Sequence, residues 1–427
     1  SCCTIAFVSL VLLLFSFPRN SSHRIAETPS FRLSREIQPK AVGNDHTTTM
    51  GPKGVETAGR GYSTGEGEVM EKFRAIRAVG EECVKEEDLL DLLNFRANTS
   101  RVIRCYDGFE PSGRMHIAQG VQKVIAVNSL TKNGCEFVFW IADWFAQLNN
   151  KLGGDLNKIQ AVGRYFIEIW KALNMDMQRV KFLWASEEIN KRSDEYWTRV
   201  LDISRKSTLS RINRCQKIMG RNQSSEGPAA GVMYACMQCA DIFFLGVDIC
   251  QMGMDQRKIN MLAREYAEVG APPYGRKKGR LRKPIILSHH MLPGLKLGQE
   301  KMSKSDPTSA IFMEDTESEV NVKIKKAYCP PGKVEGNPCL EYIRYLVLPW
   351  AGVFNVKRRA EDGGDIRYDE WESLASDFAN ENLHPGDVKP ALARAINSIL
   401  EPVRLHFERD AEAKALLARI KSFRPTR

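Results

Sequence analysis

The chain has 427 residues, 43% hydrophobic and 27% charged, with 62 Lys and Arg against 52 Asp and Glu for a formal net charge of +10. That length accommodates two or three domains, each able to bury a core, and the composition excludes collagen-like, low-complexity and polytopic membrane classes. Eleven irregularly spread cysteines, an odd number, fit a reducing compartment better than a disulfide framework. The surplus positive charge permits a nucleic-acid partner without requiring one.

Ile5 to Phe17 is an apolar run of 13 residues, shorter than the roughly 20 needed to span a bilayer, and no other stretch suggests a membrane. A signal or transit peptide can look like this. No basic segment precedes the run, however, and Met50-Gly51-Pro52-Lys53 reads as a natural start, so residues 1–49 are taken as upstream sequence. The expected location is cytoplasmic, or organellar if residues 1–49 are a genuine transit peptide. Residues 51–67 are Gly-rich and lack apolar periodicity, so 1–67 reads as a flexible extension.

From Glu68 the pattern becomes globular. Val69 to Val79 and Glu86 to Phe95 carry apolar residues at helical spacing with acidic opening turns. Val102 to Tyr106 is a β-rich run, Gly108 to Gly113 supplies turn chemistry, Ile117 to Leu130 reads as helix, and Cys135 to Ile141 is the next strand. Strand, glycine turn, helix and strand in about forty residues form a βαβ unit, which must be parallel and right-handed. With further β-like and helical runs, including Val180 to Trp184 and Met254 to Ala267, residues 68–290 read as a Rossmann-type, doubly wound parallel α/β domain. Residues 291–310 form a linker. Helical patterns at Thr316–Ala327, Leu340–Leu348, Glu370–Asn380 and Val388–Phe407 make 311–427 an all-helical domain.

Three motifs carry chemistry. Glu110-Pro-Ser-Gly113-Arg-Met-His116-Ile-Ala-Gln119 sits where a strand gives way to a helix, a place where glycines admit close approach and helix N–H groups attract phosphate. By itself it also fits an ordinary turn with a structural histidine. Lys301-Met302-Ser303-Lys304-Ser305 places two ammonium groups and two hydroxyls in one interdomain loop, a clamp suited to a developing pyrophosphate charge; the plain alternative is a solvated basic linker. Together the two resemble the HIGH-like and KMSKS signatures of class I aminoacyl-tRNA synthetases.

In the third motif, Tyr234, Gln238 and Asp241 are spaced i, i+4, i+7 and so share one helix face, offering a phenol, a carboxamide and a carboxylate to an amino acid. Cys236 and Cys239 lack a second pair at zinc spacing and read as packing residues; no protein metal site is expected. YxxxQxxD followed by Gly253-Met-Asp255-Gln256-Arg257 is similar to the tyrosyl-tRNA synthetases of archaeal and eukaryotic type, close to plant cytosolic enzymes, from about residue 69 to 427. That resemblance implies activation of L-tyrosine with ATP, Mg²⁺ travelling on the phosphates, and transfer to tRNA(Tyr), by a homodimer. It implies that Tyr106 and Asp241 hold the phenol, and that Tyr234, Gln238 and Gln256 hold the amino side. Gly253 and Asp255 would lie near the ribose, with Gly108, Glu110, Gly113, Met302 and Ser303 around the adenylate. His116, Lys301 and Lys304 would stabilise the phosphates. Arg257 would read the acceptor stem, and the C-terminal domain would bind the anticodon through His384 and Asp387, for which helix capping by Asp387 is the competing reading.

Two departures stand out. HIGH ends here in Ala118-Gln119, so the second histidine's contact is lost or supplied by Gln119. Asp362 stands where archaeal relatives place an aromatic that stacks on an anticodon base. A tryptophanyl-tRNA synthetase, a small-molecule nucleotidyltransferase and a non-catalytic RNA-binding paralogue are the rival readings. Tyr106, Gln238 and Asp241 argue against the first and the helical domain against the second. His116, Lys301, Lys304 and Asp241 argue against the third.

Overall fold

The computed structural model describes residues 64–99, 101–215, 228–299, 302 and 306–423. The expectations for residues 1–63 and for Lys301, Ser303 and Lys304 lie outside the described residues.

The strands among the described residues are β1 (Glu82–Val84), β2 (Arg104–Phe109), β3 (Glu136–Ile141), β4 (Val180–Trp184), β5 (Ile249–Gly253), β6 (Ile285–His289), β7 (Phe354–Val356) and β8 (Ile366–Tyr368). The first six form one sheet in the order β1-β6-β5-β2-β3-β4, parallel throughout except for β1, which runs antiparallel to β6. The chain builds from β2 through β3 to β4, then returns to the other side of β2 for β5 and β6. That reversal puts a topological switch point between β2 and β5. Edge strand β1 was not anticipated: three residues are too few to show a period-2 pattern.

Both faces of the sheet are covered, as a parallel sheet requires. Along β3 the side chains divide by parity: Phe137, Phe139 and Ile141 enter one core, Val138 and Trp140 the other. On the first face Trp170, from the helix Leu156–Ala172, stacks on Phe139 with ring centres 4.3 Å apart. Asp155 caps that helix by accepting from the backbone N–H of Asn157 and Lys158. On the second face lie the helices Ser193–Lys206 and Ala230–Phe244, the latter bearing Tyr234, Gln238 and Asp241. Cys236 and Cys239 are buried there.

The first-face core continues without a break into the C-terminal helices, through Val320, Leu346, Leu392 and Phe407. Helix Glu317–Lys326 opens with a capping box between Thr316 and Glu319. Helix Pro385–Arg409 lies against Leu156–Ala172, where Phe407 meets Tyr165 at 5.7 Å and the His406 ring bonds the Glu168 carboxylate at 2.9 Å. One correction concerns the all-helical expectation: β7 and β8 pair as an antiparallel ribbon. The reversal between them uses Gly363 and Gly364, both at positive φ, and strands of three residues again leave no periodic signal.

Asp202, on Ser193–Lys206, ties the second face together. Its carboxylate accepts from the Tyr266 hydroxyl (2.5 Å), the Ala271 N–H (2.9 Å), Arg205 (2.7 Å) and Lys206 (3.0 Å). Burial works against the charge, but these four donors outweigh it and hold the carboxyl well below the usual range. A carboxyl with a depressed folded pKa stabilises the fold above its unfolded value of about 3.9 and loses that contribution as pH falls further. Asp202→Asn should therefore cost about 1–3 kcal/mol at pH 7. The gap to the parent should narrow below about pH 4, read from urea unfolding at both pH values.

Candidate active site at the β2–β5 crevice

β2 stays paired with β3 as far as Phe109, but its registered pairs with β5 are Cys105–Ile249 and Tyr106–Cys250. Past Tyr106 the two strands part, and the carboxyl ends of β2 and β5 flank a crevice at the switch point, where open α/β sheets bind ligands. Tyr106 is 1% exposed, and its hydroxyl has no hydrogen-bond partner among the described residues. A β-carbon on Gly108 would stand 3.3 Å from that hydroxyl, so glycine there leaves room around the phenol.

Asp241 is likewise 1% exposed and accepts from the Tyr196 hydroxyl at 2.8 Å. Burial pushes its carboxyl well above the usual range, with Tyr196 and the Trp140 indole acting in the opposite direction. Burial, then the Asp241 charge, pushes the Tyr106 hydroxyl up as well. Tyr106 and Asp241 thus lie in one buried, low-dielectric region, the Tyr106 hydroxyl within reach of the Asp241 charge. Tyr196 was missed by sequence reasoning: it lies 45 positions before Asp241 on a separate helix, and no motif links them.

The mouth of the pocket is polar. The Tyr234 hydroxyl donates to Glu110 at 2.6 Å, and Glu110 also accepts from Asn149 at 3.1 Å with the Lys151 ammonium 3.9 Å away. The Gln238 amide donates to the Gln256 carbonyl oxygen at 3.0 Å, while the buried carbonyl oxygen of Gln238 has no partner among the described residues. Gly253 ends β5, and a β-carbon there would come within 2.7 Å of the Asp255 carboxylate and 2.6 Å of the Met291 sulfur. Gly113 has φ of +132°, a conformation glycine supplies.

The HIGH-like turn is gripped from 200 residues away. Met115 and Met313 bond through the backbone at 3.0 Å, and the Ile117 N–H reaches the Ile311 carbonyl at 2.8 Å. Arg114 bonds Glu314 at 2.5 Å and Asp315 at 3.0 Å, with its guanidinium 4.2 Å from the Phe312 ring centre. The Tyr165 hydroxyl donates to the other Glu314 oxygen at 2.7 Å. A β-carbon at Gly120 would strike the Met313 side chain, so glycine there permits the docking. The segment just past the KMSKS run is thereby fixed beside His116, and Met302 is buried. Gln119 opens the helix in a π-helical turn. Its backbone carbonyl accepts from the Trp170 indole at 3.0 Å, and its side-chain oxygen is buried without a partner among the described residues.

The tRNA candidates make contacts of their own. Arg257 starts the helix Arg257–Val269 and is paired with Glu82 at 2.7 Å. His384, not Asp387, caps Pro385–Arg409: its ring nitrogen accepts from the Gly386 N–H at 3.0 Å, while Asp387 falls inside the first turn. Arg358 donates to the Asn382 carbonyl at 3.0 Å, tying the β7–β8 ribbon, whose turn bears the exposed Asp362, to the segment before His384. Of the basic residues at 276–283, Arg282 faces Asp248 at 3.5 Å and Lys283 pairs with Glu268 at 2.5 Å; Arg276, Lys277, Lys278 and Arg280 are exposed. Among the described residues no helix is long and apolar enough to cross a membrane, and no cluster of three His, Cys, Asp or Glu could hold a metal ion.

Comparison with known proteins agrees with this geometry. The family model for class I tRNA synthetases of the W and Y type matches residues 98–401. A cytoplasmic tyrosine–tRNA ligase of Arabidopsis thaliana is 61% identical over 84% of this chain and 90% of its own length. Among solved structures, a Leishmania major tyrosyl-tRNA synthetase in complex with tyrosinol superposes with TM-score 0.75 at 49% identity over 83% of this chain, which spans 52% of that protein. The Pyrococcus horikoshii tyrosyl-tRNA synthetase complexed with L-tyrosine gives TM-score 0.74 at 35% identity, covering 82% of this chain and 99% of that one. A match over most of the chain at this identity settles its kinship: the chain belongs to the tyrosyl-tRNA synthetases of class I, in the branch represented by archaeal and eukaryotic enzymes.

Proposed function

We propose that the crevice between β2 and β5 carries out tyrosine–tRNA ligation as the family does: L-tyrosine reacts with ATP to give tyrosyl-adenylate, and the acyl group passes to tRNA(Tyr). The observation that carries the reading is a buried hydroxyl and a buried carboxylate, Tyr106 and Asp241, with the Tyr106 hydroxyl lacking a partner among the described residues. A substrate phenol supplies the missing partner, and phenylalanine leaves it missing. Rejection of that kind is large because buried polar groups stay unpaired, a rule for which tyrosyl-tRNA synthetases are themselves the worked case.

Tyr234, Gln238 and Gln256 take the α-amino side, and Glu110, held by Tyr234 and Asn149, borders the adenylate with Gly108 and Gly113. The tyrosine carboxylate oxygen attacks the ATP α-phosphorus, and the bond to the pyrophosphate oxygen breaks. A ribose hydroxyl at the tRNA end then attacks the acyl carbon and AMP leaves. The carboxylate is already ionised, so no base is needed; catalysis is positioning and charge stabilisation. His116 serves the α-phosphate, Lys301 and Lys304 the pyrophosphate, with Met302 and Ser303 bordering the nucleotide. Mg²⁺ on the phosphates would supply further charge neutralisation. Arg257 contacts the acceptor stem, and His384 and Asp387 face the anticodon from the helical region. A cytoplasmic location and a homodimer complete the proposal, the first supported by the cytoplasmic Arabidopsis relative.

Pyrophosphate exchange with tyrosine, tryptophan and phenylalanine offered separately tests the assignment, and exchange with tyrosine alone is expected. Asp241→Ala should lower kcat/KM for tyrosine by about a hundredfold or more; near-normal exchange in that variant would sink the reading. Tyr196→Phe removes one bond to Asp241 and should raise KM for tyrosine about tenfold while leaving that for ATP unchanged. Neutralising Arg276, Lys277 and Lys278 together should flatten the salt dependence of tRNA binding; an unchanged slope would assign those side chains to solvent.

A further inference from the structure

Beneath the Gly253 turn a chain of buried polar groups runs across three strands. The Lys123 ammonium, from the helix after the HIGH-like turn, lies 2.5 Å from the Asp107 carboxylate on β2. It also donates to the backbone oxygen of Gln251 on β5 at 3.2 Å and to the side-chain oxygen of Gln251 at 2.7 Å. An ammonium has three protons and can accept nothing, so all three are spent and the Gln251 amide can face Lys123 only with its oxygen. Its nitrogen is thereby turned toward Nδ1 of His289 on β6, 3.0 Å away. A primary amide nitrogen only donates, so Nδ1 must accept. Burial first, then the Lys123 charge, holds the His289 ring well below the usual histidine range. In a neutral imidazole whose Nδ1 accepts, the proton resides on Nε2.

That nitrogen lies beside the Gly253 turn, where only the missing side chain of a glycine leaves space between it, the Asp255 carboxylate and the Met291 sulfur. His289 and Gly253 are registered partners on adjacent parallel strands, and Nε2 lies 3.5 Å from where a Gly253 β-carbon would stand. The same empty position is 2.7 Å from the Asp255 carboxylate. A fixed donor and an anionic acceptor therefore flank one glycine. A pair of neighbouring hydroxyls, each able to give and accept a hydrogen bond, suits this arrangement, whereas a phosphate would meet the Asp255 charge.

We infer that His289 is a nucleotide-binding residue whose Nε2–H donates to a ribose hydroxyl of ATP, its tautomer fixed by the relay Asp107–Lys123–Gln251. The inference rests on the reading of the crevice as the ATP site. Lys123 and Gln251 act as positioning residues, since they determine which ring nitrogen carries the proton without touching the nucleotide themselves.

Calorimetric titration of the full chain with ATP, 2′-deoxyATP and 3′-deoxyATP tests it without requiring turnover. The parent protein should bind ATP about three- to tenfold more tightly than one of the two deoxynucleotides, the range expected for one neutral hydrogen bond. His289→Leu should lose that preference, with a lowered thermal midpoint because the buried Gln251 amide loses its acceptor, and His289→Gln, which retains an N–H, should restore part of the preference. A parent protein indifferent to both deoxynucleotides overturns the inference, as does a His289→Leu variant that still discriminates. The parent comparison stands even if a variant fails to fold. Discrimination by the parent protein without tyrosine-dependent exchange would keep the ribose contact and overturn the ligase reading instead.

Discussion

Parallel strands hydrogen-bond along their length unless something separates them, and β2 and β5 separate after Tyr106 because the chain reverses direction across the sheet between them. The helix that follows β2 packs on one face, and the long return that leads to β5 packs on the other. Nothing of this sheet covers the gap between the carboxyl ends of the two strands. Tyr106, the glycine turn at 253 and the HIGH-like turn all border that gap. Remove the reversal and the same residues would lie on a continuous sheet with no concavity.

The crevice is stocked with polar groups that burial disfavours. Asp241, Tyr106, Lys123 and Gln251 are all at least 94% withdrawn from solvent, and an unpaired polar group in such surroundings costs a few kcal/mol. Some have internal partners, as Lys123 has in Asp107 and Gln251. Others, the Tyr106 hydroxyl and the Gln238 oxygen, have none among the described residues. On the proposed reading, the Tyr106 hydroxyl and the Gln238 oxygen find their partners in a ligand. Rigid presentation of unsatisfied groups is what lets a pocket discriminate between molecules that differ by one hydroxyl.

Much of this was legible in the sequence, for reasons that differ by element. β3 announced itself as an apolar run because both its faces are buried, and Tyr234, Gln238 and Asp241 shared a face because helix geometry is local. The edge strand β1 and the ribbon of β7 and β8 were silent, being too short to carry a period. Tyr196 was invisible for another reason: its bond to Asp241 depends on how two helices cross, which no spacing encodes. The grip of Arg114 on Glu314 and Asp315 is of the same kind, although the two motifs it links were both found. At His384 the sequence pointed to Asp387 as the helix cap, and the imidazole took that place because its ring nitrogen reaches the Gly386 N–H.

Helix Pro385–Arg409 has 25 residues and so extends about 37 Å, even with Pro390 and Pro402 each removing one rung. Its first residue adjoins the His384 cap, and its far end is clamped by Phe407 on Tyr165 and His406 on Glu168. Tyr165 in turn bonds Glu314, which holds Arg114 of the HIGH-like turn. The helix is therefore a strut rather than a tether. With one apolar core shared along it, the helical region has no slack joint about which to swing. A displacement at the His384 end must bend the strut, shift its footing on Tyr165, or be resisted by the whole core.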